Sequence, residues 1–85
     1  MNVIIINEDN HGTIGIAKNM ERAVQFLLDT DWLDEKFVII ENDGKELYIK
    51  EHLGEDWCEL VRNMSVEEFN KYFEGSFCLY VEQVY

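Results

Sequence analysis

Two short β-favouring runs near the ends of the sequence, residues 3–6 and 77–81, constrain the fold most strongly. The first holds four consecutive β-favouring residues. The second carries apolar side chains on both of its faces, which is typical of a strand that is covered on both sides. We therefore expect both runs at the centre of one sheet, with helices packed on one face. A chain of 85 residues makes one domain, residues 1–85.

Turn signals divide the remaining β-favouring residues into two hairpins. A turn-rich stretch separates residues 3–6 from a second apolar run, residues 13–17, and predicts the first hairpin. Residues 37–41 and 46–50 flank an Asp43-Gly44 pair, which is a strong signal for a short hairpin connection. The second hairpin is predicted there.

Helical periodicity and capping residues predict three helices. The first begins at the N-cap Asn19, ends near residues 29–31 and has a stripe of apolar residues at helical spacing: Met20, Ala23, Val24, Leu27 and Leu28. The second spans residues 55–63 or begins a little sooner, with Gly54 at the open boundary. The third starts at a capping box formed by Ser65 and Glu68 and ends at Gly75.

The predicted fold class is α+β, with the element order ββαββααβ, a mainly antiparallel sheet and helices on one face. Hydrophobic residues make up 47% of the chain, and this is enough to build a core despite a net charge of −11. That charge opposes direct binding to nucleic acid or to an anionic membrane. The sequence shows no membrane-length apolar stretch and no secretory leader, so we expect a cytoplasmic protein.

The sequence lacks the residue patterns that catalysis, metals or cofactors require. It has no phosphate-binding glycine loop, and the EF-hand-like spacing that begins at Asn7 meets Lys18 where calcium needs a glutamate. The two histidines and two cysteines are too scattered for a zinc site. Cys58 and Cys78 are expected to be reduced, buried and unreactive. We therefore predict no enzyme activity, no metal and no cofactor.

The acidic residues are unevenly distributed. The segment from Asp29 to Glu68 contains 13 of the 18 acids and only four basic residues. On a continuous helix, Glu51, Glu55 and Glu59 would stack at intervals of four residues and repel one another. The candidate partner-binding residues are the acids around two tryptophan-containing stretches, together with the first tryptophan: Asp29, Asp31, Trp32, Asp34, Glu35, Glu55, Asp56 and Glu59.

Two interpretations of this charge remain open. An acidic surface improves solubility without any further role. A clustered array of carboxylates beside an indole also imitates the phosphates and bases of a nucleic acid, and would bind a basic protein. The flanking acids indicate that Trp32 and Trp57 are partly exposed interface anchors, although Trp57 also belongs to the apolar stripe of its helix.

The short chain, the hairpin that opens it at residues 3–12 and the acidic clusters resemble small proteins encoded by bacteriophages and prophages, among them the acidic anti-CRISPR class. The resemblance implies a cytoplasmic protein of a bacterial host that inhibits a CRISPR nuclease or another nucleic-acid-binding protein. It carries no motif of one named inhibitor and assigns no residue. The alternative is a structural or assembly protein that forms a homodimer through the strand in residues 77–85.

Overall fold

The computed structural model describes all 85 residues, Met1–Tyr85, and shows a mixed α+β fold in which every strand pair is antiparallel. It has five strands and four helices, in the order β1 (Asn2–Glu8), β2 (Gly12–Ala17), α1 (Met20–Asp29), β3 (Val38–Ile40), β4 (Glu46–Tyr48), α2 (Ile49–Leu53), α3 (Trp57–Arg62), α4 (Val66–Tyr72) and β5 (Phe77–Gln83). None of the helices has the length and apolar composition needed to span a membrane.

The larger sheet has the strand order β2-β1-β5. β1 is central, as expected, but the prediction that β5 is also central was wrong because β5 lies at the edge. Its alternation explains the error: Phe77 and Leu79 face the helices, whereas Cys78 and Tyr80 lie on the opposite, open face. Both faces of β5 are apolar, although a helix covers only one of them.

Helix α4 protects the edge of β5. The side-chain amide of Asn70 accepts a hydrogen bond from the Leu79 N–H at 2.7 Å and donates one to the Leu79 carbonyl oxygen at 2.9 Å. The Phe77 N–H also donates to the Phe73 carbonyl oxygen, at 3.1 Å. An unprotected strand edge invites pairing with another chain. The first half of β5 is therefore closed to such pairing.

The chain between the second hairpin and α4 forms two short helices instead of one. The strand predicted over residues 46–50 ends at Tyr48, because Ile49 turns into the core as the first residue of α2. Gly54 then adopts a φ of 92°, a left-handed backbone conformation that favours glycine and ends α2. The observed order is ββαββαααβ, with one more helix than predicted.

The core lies between the larger sheet and the helices, which pack on one of its faces as predicted. Ile6 from β1, Leu27 from α1 and Phe69 from α4 are fully buried in it. Gly15 in β2 allows the ring of Phe26 to pack closely, since an added Cβ atom would lie 2.8 Å from that ring and would force it to move. The other face of the sheet is open and exposes apolar side chains such as Ile16.

Replacement of Asn70 tests the protection of the β5 edge. We expect Asn70→Ala to lower the free energy of unfolding by about 2 kcal/mol, because it leaves the partly buried N–H and C=O of Leu79 without partners. Urea unfolding followed by circular dichroism measures the change. Asn42→Ala is the matched control, as Asn42 is exposed and its side chain makes no hydrogen bond. Equal stability of the two variants would contradict the assignment.

Candidate functional site

Asp29 and Asp31 lie where α1 ends. Thr30 closes the helix, and Asp31 follows with a φ of 61°, the only positive φ outside glycine. The Asp31 N–H donates to the Leu28 carbonyl oxygen at 3.3 Å, so the left-handed residue satisfies a carbonyl group at the end of the helix. Glycine usually occupies such a position. The turn leaves the Asp31 side chain exposed.

Trp32 is half-buried at the same corner. Its indole packs against the core and meets the His11 ring edge-on, at a centroid distance of 5.2 Å. His11 pairs with Glu8 at the end of β1, and this hydrogen bond lowers the pKa of the Glu8 carboxyl group. Trp32 thus anchors the corner to the first hairpin and keeps part of its surface accessible. Trp57, by contrast, is buried in the core and is not an exposed anchor.

Glu35 and Glu55 are brought together by a lysine that the sequence did not single out. Lys50 Nζ lies 3.3 Å from Glu35 Oε2 and 3.6 Å from Glu55 Oε2. The hydrogen bond and charge of Glu35, followed by the charge of Glu55, raise the pKa of Lys50. The two glutamates remain 56% and 86% exposed. One cation is therefore shared by two carboxylates that still face solvent.

Asp29 and Glu59 are linked across α1 and α3 by a second network. Gln25 Nε2 donates to Asp29 Oδ1 at 2.8 Å, and Arg62 Nη2 donates to Gln25 Oε1 at 2.8 Å. Arg62 Nη1 lies 3.9 Å from Glu59 Oε2. The sequence does not reveal this link, because Gln25 and Arg62 are 37 residues apart.

The two remaining predicted acids occupy turns. Asp34 Oδ1 accepts a hydrogen bond from the Lys36 N–H at 2.9 Å, and Asp56 is the exposed N-cap residue of α3 without a side-chain cap bond. Helix α3 is six residues long, about 9 Å. Glu55 and Asp56 at its start therefore lie close to Glu59 within it. The structure gathers Glu55, Asp56 and Glu59 around α3; Glu55 shares Lys50 with Glu35, and Glu59 is linked to Asp29 through Arg62 and Gln25.

The stacking of Glu51, Glu55 and Glu59 that a continuous helix would produce does not occur. These residues would repel one another on a continuous helix, but the break at Gly54 places Glu51 in α2, Glu55 in a turn and Glu59 in α3. The break thus removes the helical repulsion that the sequence suggested. All three glutamates are exposed to solvent.

A separate cleft lies between the second hairpin and α4. His52 Nδ1 is 2.7 Å from the Tyr72 hydroxyl, and His52 Nε2 is 3.8 Å from Glu41 Oε2. Burial, followed by the charge of Glu41, raises the pKa of Tyr72 to about 12. No group of three or more His, Cys, Asp or Glu side chains is placed to hold a metal ion. From the sequence, the histidines were considered only as zinc ligands, and this cluster was missed.

The two cysteines are free thiols, and both are half-buried, less enclosed than predicted. Cys58 packs against the core from α3, whereas Cys78 lies on the open face of the larger sheet. Neither has a histidine as a hydrogen-bond partner.

Comparison with protein-family models, curated proteins and solved structures found no match.

Asp31 provides a test of the corner after α1. A left-handed conformation is strained for a residue with a Cβ atom, so we expect Asp31→Gly to raise the free energy of unfolding by up to about 1 kcal/mol. Asp34→Gly is the control, since Asp34 has a negative φ and its side chain closes a turn; this change lowers stability. Urea unfolding of both variants measures the difference. A loss of stability in Asp31→Gly would contradict the interpretation.

Tyr72 predicts a pH dependence of stability. The pKa of its phenol is raised to about 12, so the folded protein keeps this proton while the unfolded chain releases it near pH 10. The contribution to stability is full below about pH 10 and is lost as the pH rises towards 12. Tyr72→Phe should flatten this decline in urea unfolding at a series of pH values, whereas Tyr85→Phe, at the fully exposed C-terminal residue, should not. Identical pH profiles would refute the assignment.

Proposed function

We propose that this chain is a non-catalytic, acidic binding protein that inhibits a basic nucleic-acid-handling protein by occupying its nucleic-acid-binding surface. The proposal includes the phage-type, anti-CRISPR-like role that the sequence resembles, and a location in the bacterial cytoplasm. The binding surface is the acidic surface around α3 and the end of α1, defined as Asp29, Asp31, Trp32, Asp34, Glu35, Glu55, Asp56 and Glu59. It does not bind nucleic acid or membrane directly, because its charge repels both.

The shortage of counter-charges on this surface is the main support for the proposal. Asp29, Asp31, Asp34 and Asp56 have no basic group within salt-bridge distance, Glu35 and Glu55 share a single lysine, and Glu59 has Arg62 at 3.9 Å. Exposed carboxylates repel one another, so a basic partner would relieve this repulsion on binding. Arginine forms two parallel hydrogen bonds to a carboxylate as it does to a phosphate. The surface therefore offers a basic groove the same type of contact as a nucleic-acid backbone.

The backbone at Asp31 supports the same proposal independently. Glycine would fit the left-handed conformation at lower cost, yet the chain has a carboxylate there. A residue that costs stability while adding exposed negative charge is typical of a binding site. Trp32 adjoins it with part of its indole accessible, and aromatic residues of this kind are frequent in interface hot spots.

A second candidate function is self-association through β5, as a structural or assembly protein. One observation favours it: β5 is an edge strand whose final part is exposed at Val81, and Val84 and Tyr85, which follow the strand, are exposed as well. Antiparallel pairing of two such edges across a two-fold axis would form a homodimer. The cover that Asn70 and Phe73 provide leaves only a short part of the edge for this pairing.

Two charge variants test the proposed function. The site variant combines Asp29→Asn, Asp31→Asn, Glu55→Gln and Asp56→Asn. The matched control removes the same charge elsewhere, with Glu21→Gln, Asp43→Asn, Glu67→Gln and Glu82→Gln. Each tagged protein is incubated with bacterial lysate at low and high salt, captured proteins are identified by mass spectrometry, and each purified candidate is tested for inhibition of its nucleic-acid binding. We expect the site variant to bind the partner at least about tenfold more weakly and the control to bind as the unmodified protein does.

Salt separates the proposal from the alternatives. Binding through the acidic surface should weaken steeply between low and high salt, since exposed charges are screened. Binding unaffected by salt, or equal loss in the two variants, would refute the proposed interface. A homodimer in light scattering that captures no basic protein would favour self-association through β5 instead.

A further inference from the structure

Strand β3 pairs with β4 along one edge, and no strand pairs with its other edge. The Glu41 N–H donates to the Lys45 carbonyl oxygen at 2.8 Å, and the Ile49 N–H donates to the Phe37 carbonyl oxygen at 2.7 Å. The antiparallel register pairs Val38 with Tyr48 and Ile40 with Glu46. Because main-chain groups alternate in direction along a strand, those of Val38 and Ile40 point away from β4. No other hydrogen bond uses them.

This edge lacks the protection that β5 has. In β5, Asn70 occupies the outward-facing groups of Leu79. In β3, no helix side chain forms a hydrogen bond with the main chain of Val38 or Ile40, and these two residues are 46% and 68% exposed. Proteins usually protect such edges with a charge, a proline or a covering element. Residues 37–40 contain no charge and no proline.

A groove runs beside this edge, between the hairpin and α4. Its larger part is a cleft of about 530 Å³, lined by residues that include Ile40, Glu41, Glu68 and Tyr72. A smaller part, about 120 Å³, continues past Val38. Both parts border Ile39, Ile40 and Tyr72. The groove therefore follows the whole of the three-residue strand.

The charge of the groove is negative. Three carboxylates line it, those of Glu41, Glu68 and Glu74, against the single ammonium group of Lys71. His52 lies between the Tyr72 hydroxyl, 2.7 Å from Nδ1, and Glu41 Oε2, 3.8 Å from Nε2. A lysine or arginine side chain would find carboxylates along the groove.

We propose that β3 binds an extended, basic peptide segment of a partner protein as an added strand. The peptide backbone pairs with the free N–H and C=O groups of Val38 and Ile40, at the usual inter-strand distance of about 4.8 Å. Its Lys or Arg side chains lie beside Glu41, Glu68 and Glu74. This surface shares no residue with the acidic surface around α3, so the inference does not depend on the proposed function.

A labelled probe peptide tests this surface directly. The probe is a capped heptapeptide that alternates lysine and threonine, and the control probe has glutamate in place of each lysine. Fluorescence anisotropy measures binding at low salt. Hydrogen exchange followed by NMR shows which amides the probe protects. We expect the lysine probe to bind, the glutamate probe not to bind, and the Val38 and Ile40 amides to exchange more slowly in the complex.

Variants of the protein separate the contribution of backbone hydrogen bonds to peptide binding from the contribution of the carboxylate charges. Ile40→Pro removes an outward N–H that β4 does not use, and should weaken binding by about tenfold. The double variant Glu41→Gln with Glu74→Gln leaves the strand intact and should also weaken binding, whereas Glu67→Gln with Glu82→Gln should not. Circular dichroism checks that each variant folds. If Ile40→Pro unfolds, the charge variants and the exchange data decide.

Three results would overturn the inference. Absence of binding by the lysine probe up to millimolar concentration is the first. The second is binding that leaves the exchange of the Val38 and Ile40 amides unchanged. The third is protection of these amides by dimer formation without peptide, which would assign the edge to a second copy of this chain.

Discussion

A cluster of phenylalanine rings holds the two sheets together, and the rest of the structure depends on it. The ring centroid of Phe37, just before β3, lies 5.6 Å from those of Phe73 and Phe77, and Phe73 packs on Phe69 at 4.4 Å. A two-stranded sheet with three-residue strands is not stable by itself in water. The rings fix the second hairpin against α4 and β5, so they also position the groove beside β3 and the chain that leads to Lys50.

The sequence was sufficient to predict where a helix begins when nearby residues cap it. Asn19 accepts a hydrogen bond from the Arg22 N–H, and Ser65 and Glu68 form the predicted capping box, so α1 and α4 begin where their caps indicate. The split at Gly54 and the edge position of β5 were not predicted. The first requires knowing that Ile49 enters the core, and the second requires knowing which strand lies beside β1.

The candidate site was predictable in its residue types but not in its connections. The eight predicted residues lie at exposed or half-buried positions, because charged residues in turns and at helix ends remain at the surface. Their partners are distant in sequence: Lys50 is 15 residues from Glu35, and Arg62 is 37 residues from Gln25. A single sequence gives no sign of such pairs. The cluster of His52 with Tyr72 escaped prediction for the same reason.

The pairing of Asn70 with Leu79 has a consequence for the edge of the larger sheet. The side-chain amide uses one N–H donor and its oxygen acceptor here, as a peptide group would, and bonds to both main-chain groups of one residue. At Leu79, a single residue of α4 thus makes the hydrogen bonds that a neighbouring strand would otherwise make. Helix α4 therefore completes the main-chain hydrogen bonding of β5 at this edge as well as packing against the strand.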